Sequence, residues 1–194
     1  MGIVSKPGSP YRVLDFGQVQ IQMQVAQPTD ENFLAHLDAE TQRMNGYLRS
    51  RDRVVPHKAV VIHAPSCDLI PKASIRRLQA EWIIRNEHVL KIMCHSLAII
   101  VPGTIVRNAV TAALWLAPMP VPMKVHRDMD AAVEWAIREA DSIGGQVDSE
   151  LRLGRCAAVN KYLDIARSAP ESLDEVLAKR AAVRASAQGA SVEP

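Results

Sequence analysis

The residues best placed to do chemistry lie in Pro71-Lys72-Ala73-Ser74-Ile75-Arg76-Arg77, where the hydroxyl of Ser74 is flanked by the cations of Lys72, Arg76 and Arg77. At the start of a helix, free backbone N–H groups and the helix dipole favour an anion, so this group could hold a phosphate on Ser74 or receive an acidic partner. The plain alternative is that Ser74, a preferred cap residue, only caps the helix while the bases stay solvated. A second group, His63, Cys67 and Asp68, follows an apolar strand, and open α/β sheets bind ligands beyond strand ends. A Cys–His pair becomes a nucleophile when its thiolate is stabilised, but no third residue stands at an orienting spacing. No catalytic residue is therefore expected. His63, Cys67, Cys94 and His95 match no known ligand spacing, so neither a metal nor a cofactor is expected. Arg107 could meet an anionic ligand or simply reach solvent along its stem. Trp82, Trp115 and Trp135 read as packing residues.

These groups need elements to position them. Tyr11-Arg12-Val13-Leu14-Asp15-Phe16 and the alternating Val19-Gln20-Ile21-Gln22-Met23-Gln24-Val25, joined by Gly17-Gln18, predict an antiparallel hairpin with its glutamine face wet. Phe33, Leu34, Leu37, Met44, Tyr47 and Leu48 mark a helix over 30–48, opened by the hydroxyl of Thr29 and the acids Asp30 and Glu31. Strands at 59–62, 97–101 and 122–126 then alternate with helices at 74–93, 104–116 and 128–143. That alternation predicts βα units on a mostly parallel sheet. Gly144-Gly145 ends the last helix, and two thinner helical stretches follow at 157–167 and 173–185. The expected organisation is a flexible 1–10, a domain at 11–145, a helical extension at 146–185 and a disordered tail at 186–194.

Composition narrows the class of function. A net charge of +2 lacks the basic excess that a general affinity for nucleic acid would require. No run approaches the roughly 18 apolar residues of a membrane span, so no stable membrane insertion is expected. Three cysteines, an odd number without paired spacing, suit a reducing cytoplasm. The apolar 104–116 segment suggests a homodimer, since its outer side is too apolar for water.

The order of elements resembles the STAS domain and the SpoIIAA-like proteins, in particular the divergent bacterial STAS/SEC14 group. The likeness rests on the strand from Lys58 to Ala64, on Ser74-Ile75-Arg76-Arg77-Leu78-Gln79-Ala80-Glu81-Trp82, and on Asp128-Met129-Asp130-Ala131-Ala132-Val133-Glu134-Trp135. It covers residues 11–143. It implies a SpoIIAA-like mixed sheet and a non-catalytic regulatory module that binds a protein partner through Lys72, Ser74, Arg76 and Arg77. The family's Asp-Ser-Ser-Gly or Asp-Ser-Thr-Gly turn is replaced by Pro71-Lys72-Ala73-Ser74. The acid and the glycine are missing, so the standard phospho-switch is not expected, although Ser74 is where phosphorylation would fall. The alternative implied by the SEC14 part of the family name is a binder of a small hydrophobic or anionic, lipid-like ligand.

Overall fold

The computed structural model describes residues 11–24, 29–49, 58–63, 73–101, 103–104, 119–168 and 182. Five strands, β1 (Tyr11–Phe16), β2 (Val19–Gln24), β3 (Lys58–His63), β4 (Cys94–Ile100) and β5 (Met123–His126), form one sheet in chain order. β1 runs antiparallel to β2, and every later pairing is parallel. The chain is thus an α/β protein with a mixed sheet, a hairpin followed by βα repeats. Six helices complete the described elements: α1 (Asp30–Arg49), α2 (Ala73–Arg85), α3 (Glu87–Met93), α4 (Met129–Ser142), α5 (Ser149–Gly154) and α6 (Cys156–Ser168). None of them is long and apolar enough to cross a membrane. The helices expected at 104–116 and 173–185 lie outside the described residues, apart from Thr104 and Ala182, which are helical. The expected flexible 1–10 and the tail at 186–194 also lie outside them.

Strand alternation sorts the sheet into two faces. Leu14, Phe16, Ile21, Val61 and Ala98 point to the face covered by α4, whose Ala132, Val133, Ala136 and Ala140 are buried against them. Small residues along α4 let the helix lie close on the strands, which suits its run of alanines. Phe33 and Leu37 of α1 pack with Ile75, Leu78 and Trp82 of α2, and Tyr11 of β1 joins this second cluster. Contacts Asp30–Ser74 near both helix starts and Thr41–Trp82 further along make α1 and α2 parallel neighbours.

The glutamine side of β2 departs from expectation. Gln20 is 2% exposed and Gln24 9%, so this face is covered rather than wet. On the same side of the sheet Lys58 of β3 reaches past β2 to the carboxylate of Asp15 on β1. The alternation is present, but the glutamine side of β2 is covered.

The single helix expected over 74–93 is two. Asn86, buried between α2 and α3, donates both its backbone N–H and its side-chain Nδ2–H to the carbonyl of Trp82, at 3.0 and 2.9 Å. Asn86 stands at φ −107 and ψ 14, outside the helical region, and separates α2 from α3.

The hairpin turn carries the most demanding glycine. Gly17 sits at φ +80, and a Cβ there would stand 2.2 Å from the carbonyl oxygen of Gln146. That close approach exists because the turn pairs with the chain beyond α4. The N–H of Gln18 donates to Gln146 O at 2.8 Å, and the N–H of Asp148 donates to Phe16 O at 3.1 Å. Past this bridge, Val147, Leu151, Val159 and Tyr162 join the main core, with the Tyr162 ring edge-on to Phe16. The main core therefore continues past Gly145.

Candidate functional site

The start of α1 is held by a reciprocal cap. The N–H of Asn32 donates to Thr29 Oγ1 at 3.2 Å, and the N–H of Thr29 donates to Asn32 Oδ1 at 2.7 Å. This fixes Asp30 at the first helical position, beside the start of α2. Ser74 is the second residue of α2, and its hydroxyl donates to Asp30 Oδ1 at 2.9 Å. The hydroxyl foreseen as a cap or phosphate acceptor is thus tied to a carboxylate from another helix. A dianion on Ser74 would meet that carboxylate as well as the favourable end of α2. Arg77 is exposed and lies 3.8 Å from Glu81, four residues on. Arg76 is described for its backbone in α2 alone, and Lys72 lies outside the described residues. The structure therefore brings Ser74 and Arg77 onto one helix and sets the carboxylate of Asp30 beside Ser74.

The outer side of α2 carries a feature that the apolar pattern conceals. Ala73, Arg77, Ala80 and Ile84 are all exposed, and Ile84 is 75% exposed. The signal was Ile83-Ile84: two adjacent isoleucines on a helix point about 100° apart and cannot both face a core centred on Ile75, Leu78 and Trp82. Beside an arginine and two alanines, the exposed isoleucine leaves an apolar spot with a charged margin on the outer side of α2.

Of the second group of candidates, His63 lies at the carboxyl end of β3. Register places His63, Ile100 and His126 in one row, so His63 and His126 stand two strands apart, about 10 Å between their backbones. Cys67, Asp68, Arg107 and Trp115 lie outside the described residues. Cys94 is buried and donates to Ser96 O, and burial pushes its thiol up to about 12. Burial, then Asp130, raises the thiol of Cys156 as well. Neither is a ready thiolate near neutral pH. His95 lies 3.4 Å from Glu139 of α4, joining strand to helix. Among the described residues no group of three or more His, Cys, Asp or Glu side chains could hold a metal ion.

His126 was not singled out by its sequence context. It is buried against Trp135, ring centroids 5.5 Å apart, and its Nε2 has no hydrogen-bond partner among the described residues. Burial lowers its pKa, Lys124 and Arg138 act the same way, and Asp128 opposes them. A histidine held below its ordinary value binds fewer protons folded than unfolded, so stability should fall as pH drops through about 6.5 and level off once both states are protonated. Urea unfolding between about pH 7.5 and about pH 5 should show this loss, and His126→Phe should reduce it.

The chain matches no protein-family model, no curated protein and no solved structure.

Proposed function

We propose that this chain is a non-catalytic regulatory module of the STAS or SpoIIAA-like kind that works by binding a protein, with the outer face of α2 as its contact surface. The observation that carries this reading is Ile84, 75% exposed in line with Arg77 and two alanines on a helix whose opposite side is buried. An aliphatic side chain left in water gains roughly 1.5–3 kcal/mol when a partner covers it. The basic residues Lys72, Arg76 and Arg77, expected from sequence to make the contact, belong to the same helix or its approach. The hydrogen bond from Ser74 to Asp30 favours a fixed junction there over a phospho-switch.

Pull-down from a native lysate should recover a protein that is lost with Ile84→Arg and reduced at least severalfold with Arg77→Glu. Both side chains are exposed, so the fold should survive either change, as circular dichroism would verify. An identical set of bound proteins for wild type and Ile84→Arg would remove this surface from the account.

A further inference from the structure

We infer that the occupant of the outer α2 face is a second copy of this chain, packed α2 against α2 in antiparallel orientation about a two-fold axis, an inference that rests on the reading of this face as an interaction surface. At 3.6 residues per turn, Ala73, Arg77, Ala80 and Ile84 fall within about 60° of one another around the helix, and all four are exposed. Their spacings of four, three and four residues read the same in both directions. A two-fold axis between Arg77 and Ala80 therefore lays the stripe on itself. Ile84 then rests on the partner's Ala73, large on small, while Ala80 leaves room for the aliphatic stem of the partner's Arg77.

Charge selects the same arrangement. Arg77 and Glu81 are four apart and only loosely engaged with each other, at 3.8 Å with side chains 76% and 56% exposed. In the antiparallel copy, Glu81 comes level with the partner's Arg77 to within about one residue, roughly 1.5 Å along the axis. Symmetry repeats that opposite-charge pair at the other end of the contact. A parallel copy in register would instead set Arg77 against Arg77 and Glu81 against Glu81. The face is self-complementary in shape and charge in one orientation only.

Sedimentation of the full chain from micromolar to submillimolar concentration should show a shift from the chain mass to twice that mass. Ile84→Arg should hold it at the chain mass throughout. Arg77→Glu and Glu81→Arg should each weaken association severalfold, and the two together should restore it, because each reversed charge then meets its reversed partner. A single species at the chain mass at every concentration would overturn the inference, as would a dimer indifferent to Ile84→Arg. If the wild type stays at the chain mass while pull-down recovers another protein sensitive to Ile84→Arg, the second copy is excluded and the interaction surface stands. Failure of both measurements would remove the surface as well.

Discussion

Truncation after Gly145 is expected to leave a chain without a cooperative unfolding transition. Val147, Leu151, Val159 and Tyr162 are buried in the same core as Phe16 and the α4 alanines, and Leu151 and Val159 are wholly inaccessible. Four buried side chains at roughly 1.5–3 kcal/mol each amount to about 6–12 kcal/mol, comparable with the whole stability of an ordinary domain. The cut also removes the backbone partners of Phe16 and Gln18, baring the hairpin turn. Circular dichroism and urea titration of residues 1–145 against the full chain would decide the matter. A truncated chain with a sharp transition near the native midpoint would show that the residues beyond α4 are an accessory.

Lys58→Met should destabilise the sheet by up to about 3–5 kcal/mol, because it removes the ammonium that the partly buried carboxylate of Asp15 engages. The pair joins β3 to β1 across β2, its side chains 10% and 18% exposed. Replacing both members by apolar residues removes the stranded charge, so Lys58→Met with Asp15→Leu should recover much of the loss. Recovery should be incomplete, since Asp15 Oδ1 also accepts the Gly17 N–H at 3.0 Å in the turn. Denaturant midpoints of the two variants measure both effects. Equal stability of wild type and Lys58→Met would mean that the pair contributes nothing.

Local pattern carried most of the architecture. The hairpin was legible from Gly17-Gln18 and the alternating β2, and α1 and α4 from their apolar stripes, within a residue or two of the observed ends. What local pattern could not supply was the identity of long-range partners. The break at Asn86, where the backbone leaves the helical region, is not revealed by period alone. The contact of Lys58 with Asp15 joins residues 43 apart in the chain. The helix α5 is only six residues long, too short to show a period, and it is placed by Leu151 in the core rather than by propensity.

The candidate site was legible only in part, for the same physical reason. Ser74 and Arg77 were visible as types at the start of a helix, but Asp30, which engages Ser74, comes from another element. Ile84 was hidden beside Ile83, and only a helical wheel fixed by the buried residues shows which of the two faces out. His126 gave no signal, because a histidine at a strand end looks the same whether it is solvated or pressed against a tryptophan.

The most direct test of the central claim is photo-crosslinking in the native host with a photoreactive residue at position 84, compared with the same residue at position 134, which is exposed on α4. A discrete, light-dependent protein adduct from position 84 and none from position 134 is the expected result. No adduct from position 84, or the same adducts from both positions, would contradict a protein partner on the outer face of α2.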